Sequence, residues 1–273
     1  MIFNFVVVRK FKKMFFNILL SYLFICVVVF LMQRKLQYFP FGSVQNPYEI
    51  GLTHFNEVNI NTKDNEKLRA WYYKNENSNN VIIYFHGNAA NLENRKNKYQ
   101  AFAEDSNYSI LAITYRGYPG STGSPSEQGF YLDGQAAVDF IYAQGFNDNN
   151  IILYGESIGS GVAIEMATKI NAKALILESP FTSVEMVAKK TYWFLPVSLM
   201  LKDRFDNQEK LQKLDLPILI IHGKKDKVVP VSHGIDLAES YSGPKKLVLT
   251  ENDGHMTFSG GFLIENINSF IEN

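Results

Sequence analysis

Cysteine is nearly missing from this chain: Cys26 stands alone among 273 residues. No intramolecular disulfide can form, and cysteine usage identifies no compartment. An excess of either charge is missing as well, because 27 basic residues balance 27 acidic ones. That neutrality argues against a nucleic-acid partner, which would leave a basic surplus, and lends no support to a polyanionic substrate. The chain carries no internal repeat and no low-complexity segment. Apart from the sequence-local pair His222 and Asp226, which has another explanation below, no His, Cys or carboxylate cluster has ligand spacing, so neither a metal nor a cofactor is expected. Gly117 to Gly123 is glycine-rich but lacks the Gly-Lys-Ser/Thr ending of a phosphate loop, and reads as a loop bordering an active-site mouth.

What the chain does have is apolar mass, 46% of its residues. Part of it is one run, residues 14–32, nineteen positions without a charge. At about 1.5 Å rise per residue a helix of that length spans roughly 28 Å, close to the hydrocarbon core of a bilayer. A buried core helix should show a polar stripe, and only Asn17, Ser21 and Tyr22 interrupt this one. A cleaved signal peptide would have a shorter apolar region followed by a small-x-small site. This run instead ends Phe30-Leu31-Met32-Gln33-Arg34-Lys35. The reading is an uncleaved single-pass anchor preceded by a short tail, together residues 1–32. Arg9, Lys10, Lys12 and Lys13 precede the span, whereas Arg34 and Lys35 follow it. The positive-inside bias puts the C-terminal part on the non-cytoplasmic side, and a start at Met14 would reverse that bias. Cys26, inside the span, reads as an inert apolar residue, with lipidation the minor alternative.

Residues 33–54 read as a connector whose aromatic residues (Tyr38, Phe39, Phe41) can rest at the membrane interface. From residue 55 the patterns of a single large domain begin and continue to 273. Runs at 55–60 and 68–73 flank the turn Lys63-Asp64-Asn65 and predict an antiparallel hairpin. Continuous apolar runs at 81–85, 110–114, 151–154, 174–177, 218–221 and 247–250 predict strands buried on both faces. Helical patterns fall between them near 92–103, 129–144, 159–170, 232–241 and 262–271. This alternation means βαβ units: an α/β fold, with a mostly parallel sheet of about eight strands and helices on both faces. Functional groups then gather at the carboxyl ends of the strands. Residues 179–213 break the alternation after the sixth strand with more large apolar groups than an ordinary connection needs. They read as a helix packed on the domain, as a small lid, or as both.

Gly155-Glu156-Ser157-Ile158-Gly159 lies between a strand pattern and a helix pattern. In that context G-x-S-x-G is a nucleophile elbow: the glycines permit a sharp turn and the serine hydroxyl stands at the top of the sheet. A serine needs a base and an orienting acid, and in this arrangement they follow it in the order acid, then histidine. Of the five histidines, His54 and His86 precede the elbow, His222 ends a buried strand, and His233 begins a helix. His255 lies in the loop after the last strand, where the base belongs. Asp226 follows the strand before it and is the expected acid; Asp253 is too close in sequence to His255, and Asp215 lies at the wrong end of its strand. The oxyanion donors are expected to be the backbone N–H groups of Ile158 and Asn88, the latter in the loop after the third strand. A plain capping turn is the alternative for that loop.

With those residues in place the chain resembles the α/β-hydrolase superfamily. More narrowly it is similar to the N-terminally anchored bud-emergence (Bem) type, among the abhydrolase-domain proteins related to serine aminopeptidases and monoglyceride lipases. The likeness rests on the segment from Gln33 to Pro40, Phe85-His86-Gly87-Asn88-Ala89-Ala90-Asn91, the segment from Tyr115 to Ser121, the elbow, Ser179-Pro180-Phe181-Thr182-Ser183, the segment from Ile221 to Asp226, and Gly254-His255. Ala90, where glycine is common, and Pro119, inside an Arg-Gly-Tyr-Gly pattern, depart from it. The resemblance implies a serine hydrolase, and some relatives in this group are similar to protein-depalmitoylating thioesterases. The expected activity is hydrolysis of an acyl ester or thioester, borne by a lipid or an acylated protein at a bilayer. Tyr192, Trp193, Phe194 and Leu195 are the expected substrate wall. An aminopeptidase, with Glu178, Glu185 or Asp203 holding the substrate ammonium, and a catalytically silent scaffold are the alternatives.

Overall fold

Apolar, β-branched runs bounded by polar turns become the strands of one sheet in the computed structural model, which describes the backbone of residues 2–89 and 91–272 and side chains from residue 9 onward. Ala90, one of the two departures noted above, lies outside the described residues. The strands are β1 (Asn56–Asn61), β2 (Lys67–Tyr73), β3 (Asn80–Phe85), β4 (Tyr108–Ile113), β5 (Ile151–Glu156), β6 (Ala174–Glu178), β7 (Ile218–Gly223) and β8 (Lys245–Thr250). Their order is β1-β2-β4-β3-β5-β6-β7-β8. β1 and β2 form the antiparallel hairpin, with Asn56 opposite Tyr72 and Asn65 at φ 66° in the turn. β2 also runs antiparallel to β4, and every later pairing is parallel.

Alternate residues of a strand feed two cores. Val81, Ile83 and Phe85 pack on one side with Phe130 and Val138 of α3 (Glu127–Ala143), Val162 and Met166 of α4 (Ile158–Ala167), and Leu237 of α8 (Ser232–Ser240). Ile82 and Tyr84 pack on the other with Tyr99 and Phe102 of α2 (Lys96–Asp105) and Leu263 and Ile267 of α9 (Gly260–Ile271). Layers on both faces leave only the strand ends for chemistry. The strand order reverses between β3 and β5, and the crevice outside their carboxyl ends is where α/β sheets hold ligands.

The segment after β6 forms three short helices, α5 (Val184–Thr191), α6 (Val197–Met200) and α7 (Asn207–Leu211). Its last part belongs to the body of the domain, because Phe205 and Leu211 are fully buried in the first core.

The first helix, α1 (Ile2–Gln37), is longer than the apolar run and takes in residues 33–37, which the pattern assigned to the connector. Arg34 and Lys35 sit in its last turn, where cations favour the negative end of the helix dipole. The side chains of Gln33, Arg34 and Gln37 also find partners on the domain. Gln33 donates to Met200 O (3.1 Å) and accepts from Lys202 N (2.7 Å), Arg34 pairs with both oxygens of Asp203 (2.8 and 3.0 Å), and Gln37 donates to Asp203 O (3.2 Å). The helix ends where Phe39 bridges to Ala89, just before Pro40. Tyr38, expected at a membrane interface, is instead buried against Phe130 with ring centroids 5.1 Å apart, while Phe39 and Phe41 stay exposed.

Candidate active site

β5 delivers the chain to Ser157, and α4 begins at the next residue. The backbone strain of this turn sits on the serine itself, at φ 52° and ψ −116°. Such a conformation costs a non-glycine residue of order 1–3 kcal/mol and persists only where the surroundings over-determine it. Neither flanking glycine has a positive φ; they are needed for close approach. A Cβ on Gly155 would lie 2.5 Å from Ser160 Cα, and one on Gly159 would overlap the Phe85 carbonyl. The expectation placed conformational freedom on the glycines. The structure places steric necessity there and strain at Ser157.

Ser157 N donates to Glu178 O at 2.9 Å, tying the elbow to β6. The residue retains 7% of its surface, so the hydroxyl lies at the floor of the strand-end crevice rather than standing clear of it. Three loops meet there. His255 Nε2 is 3.0 Å from Ser157 Oγ, and His255 Nδ1 is 2.6 Å from Asp226 Oδ2. Asp226 Oδ1 accepts from the N–H groups of Val228 and Val229, both at 2.8 Å. Burial raises the Asp226 carboxyl, but hydrogen bonds from His222 and His255 outweigh it and hold the group well below the usual carboxylate range. An ionised Asp226 only accepts, so His255 Nδ1 carries the proton and Nε2 offers its lone pair to the serine hydroxyl. His222, fully buried, directs Nε2–H at Val229 O (2.9 Å) with Asp226 Oδ2 3.3 Å away. Asp253 is engaged by Thr257 instead (3.2 Å).

Asn88 follows β3, across the switch point from the elbow, and its loop is held from three sides. Tyr118 OH donates to Asn88 O and Oδ1, both at 2.7 Å. Asn88 Nδ2 donates to Gln37 O (2.6 Å), and Phe39 N donates to Asn88 Oδ1 (3.2 Å). Arg95 Nη1 donates to Ala89 O (2.8 Å) and Asn91 O (3.0 Å). Ile158, at the first position of α4, has an N–H without an intrahelical partner.

Sequence reasoning missed what lies beneath. Glu156 and Glu178 end β5 and β6 opposite one another, both buried. Arg95 bonds Glu156 (3.3 Å to each oxygen), Lys98 bonds Glu178 (2.6 and 2.9 Å), and the Tyr84 and Tyr154 hydroxyls donate one to each carboxylate at 2.5 Å. Two carboxylates against two cations leave no net charge under the nucleophile. Arg95 further links the residue before Ser157 to the Asn88 loop. The available signal was a glutamate closing each of two apolar strands, for a buried carboxylate demands a cation.

Of the four expected wall residues, Tyr192, Phe194 and Leu195 border an apolar cleft shared with α1, whereas Trp193 lies outside it, 81% exposed. The three carboxylates considered for an ammonium substrate all have cations of their own: Glu178 has Lys98, Glu185 has Lys189 and Arg204, and Asp203 has Arg34.

The family model described as "Serine aminopeptidase, S33" matches residues 76–205. An uncharacterized protein of Mycobacterium tuberculosis is 33% identical over 226 residues, 82% of this chain and 80% of that protein. Human alpha/beta hydrolase domain-containing protein 17B is 35% identical over 184 residues, 66% of this chain and 61% of its own length. Among solved structures, a Pyrococcus furiosus esterase superposes with a TM-score of 0.69 at 19% identity, over 86% of this chain and 96% of that one. An acetyl xylan esterase from Paenibacillus sp. R4 gives 0.65 at 21% identity, over 85% and 87%. The chain belongs to the α/β-hydrolase superfamily and is a serine-type α/β hydrolase.

Proposed function

We propose that this protein is a membrane-anchored hydrolase of acyl esters or thioesters, acting through an acyl-enzyme on Ser157. The observation that carries the reading is the continuous hydrogen-bonded line Ser157–His255–Asp226, with 3.0 and 2.6 Å links. Ser157 Oγ attacks the acyl carbonyl carbon while His255 Nε2 takes its proton. The N–H groups of Asn88 and Ile158 receive the oxyanion, aided by the positive end of α4. Collapse expels an alkoxide or thiolate, to which His255 returns the proton. A water deprotonated by His255 then attacks the acyl-enzyme, the carboxylic acid leaves, and Ser157 is regenerated. Asp226 stays ionised throughout, fixing the imidazole tautomer and stabilising the imidazolium.

α1 supports the anchor reading: the stretch Arg9–Gln37 is long and apolar enough to cross a bilayer and buries none of its apolar window in the domain. The family description favours a second reading, an aminopeptidase. Against it, the internal ion pairs of Glu178, Glu185 and Asp203 leave none of them free to bind an α-ammonium group. The full-length protein in detergent, given a fluorophosphonate probe and p-nitrophenyl esters, tests the proposal. Labelling and turnover are expected in the wild type and loss of both in Ser157→Ala. Undiminished labelling of that variant would sink the assignment, and strong cleavage of aminoacyl-naphthylamides with weak ester turnover would promote the peptidase.

A further inference from the structure

α1 and the insert are tied by polar contacts, from Tyr22 to Phe194 O and from Gln33, Arg34 and Gln37 to residues 200–203, but their apolar faces do not close on one another. Ile25, Val29, Gln33 and Leu36 fall at helical spacing along one face of α1, opposite Val184, Val187 and Thr191 on one face of α5. Two such stripes ordinarily interdigitate, and native packing leaves few gaps larger than a water molecule. Here a cleft of about 340 Å³ remains between them, walled further by Tyr192 and Phe194. That volume falls at the lower end of the range that ligand sites occupy.

The polar groups of the cleft are distributed unevenly. Gln33 has both ends of its amide bonded, to Phe30 O, Met200 O and Lys202 N. Gln37 donates to Asp203 O, and its buried Oε1 has no partner among the described residues. Gln37 is also the residue whose main-chain carbonyl is held by Asn88. The cleft is therefore largely apolar along its length, and a buried acceptor without a partner among the described residues lies at the end that adjoins the candidate oxyanion loop. At the other end its α1 wall runs on into the exposed apolar surface of the helix, where Phe24 and Leu31 are 68% and 72% exposed.

We infer that this cleft is the acyl-chain subsite, so that the anchor helix is itself one wall of the substrate pocket, with Ile25, Val29 and Leu36 as specificity-determining residues. The inference rests on the acyl hydrolase reading above and adds that the occupant is the acyl chain of the substrate, entering along α1 from the bilayer. The insert provides the opposite wall through Val187, Tyr192 and Phe194. Chain length is then set by how far the trough runs along the helix, and filling the trough shortens the preferred chain.

The test uses the full-length protein in detergent micelles, with p-nitrophenyl acetate, octanoate and palmitate as substrates. Val29→Trp and Val187→Trp fill the cleft from opposite walls, and Leu31→Trp places the same bulk on the outer face of α1. Each methylene denied its site is worth roughly fourfold in affinity, so a loss of three is about 60-fold. The two filling variants are expected to lose about that factor in kcat/KM on palmitate while keeping acetate turnover within about twofold, and Leu31→Trp is expected to match the wild type. An unchanged chain-length profile, or equal losses on acetate and palmitate, overturns the inference. So does a resident bilayer lipid that co-purifies with the wild type and is lost from Val29→Trp without any change in profile. Failure of the hydrolase reading is told apart by Ser157→Ala in the same assays, which must abolish turnover of all three esters whatever the cleft variants do.

Discussion

His86 is fully buried, its ring tilted against Tyr115 at 4.5 Å between ring centroids, with Nδ1–H donated to Gly87 O at 2.7 Å. Burial, with the Arg95 charge adding to it, pulls its pKa down from 6.5 to about 3. The sign follows directly. The unfolded chain binds a proton near pH 6.5 while the folded chain refuses it, so the contribution is complete above that pH. It is lost progressively as pH falls from about 6.5 toward 3, at roughly 1.4 kcal/mol per unit. Between pH 7 and pH 5 the loss from this residue is about 2 kcal/mol, or roughly 4–8 °C in Tm for a domain of this size. Thermal unfolding of wild type and His86→Asn at the two pH values measures it. The variant is expected to start lower and to fall less; parallel slopes would show that His86 does not titrate on unfolding. At the same scale, Ser157, His255 and Asp226 were legible as candidates because each follows the carboxyl end of a strand and their chain order is distinctive. Ser157's strained backbone was not legible, since it depends on how tightly α4 is drawn under β3 and β5.

At the scale of elements, the loop after β3 is defined by what it is tied to. The C-terminal turn of α1 and Tyr118 both bond the Asn88 side chain, Tyr118 also bonds its main-chain carbonyl, and Arg95 clamps Ala89 and Asn91. A backbone N–H that must meet an oxyanion gains from such fixation, because a misplaced donor contributes little. Deleting a donor outright costs about 10²–10³ in kcat; freeing its loop should cost less. Asn88→Ala, which keeps the N–H and the Tyr118 bond to Asn88 O but removes the side-chain ties to Gln37, Phe39 and Tyr118, is therefore expected to lower kcat on a short ester roughly 10- to 100-fold with KM little changed. It should also slow fluorophosphonate labelling, and normal kinetics in this variant would mean that Arg95 and the Tyr118 bond to the main-chain carbonyl hold the loop without the Asn88 side chain. Strand and helix positions along the domain followed from hydrophobic period. The clamp did not, because it joins residues 37, 88 and 118, and local pattern carries no trace of contacts between elements so distant in sequence. The same reason hid the extension of α1 to Gln37: its last turn is held by Met200, Lys202 and Asp203.

The whole molecule is a domain tied to a long apolar helix through Gln33, Arg34 and Gln37, and the joint bears on topology. Four cations, Arg9, Lys10, Lys12 and Lys13, precede the apolar run and two, Arg34 and Lys35, follow it. Arg34 is paired with Asp203 in the folded protein, which widens the asymmetry. By the positive-inside bias the orientation we propose puts the domain on the non-cytoplasmic side. A leader peptide cleaved at the end of this helix would carry away the contacts of Gln33, Arg34 and Gln37 with the insert, so their presence argues for a retained anchor. The expectation is that an alkaline phosphatase fused to the C-terminus is active in a bacterial host while a green fluorescent protein fused there is dark. The full-length mass should persist, and the protein should resist carbonate extraction. Neutralising Arg9, Lys10, Lys12 and Lys13 together should reduce phosphatase activity by letting Lys35 compete for the cytoplasmic side. A bright fluorescent fusion on the wild-type chain would reverse the orientation. It would leave the proposed chemistry at Ser157 intact while moving the proposed substrates to the inner leaflet.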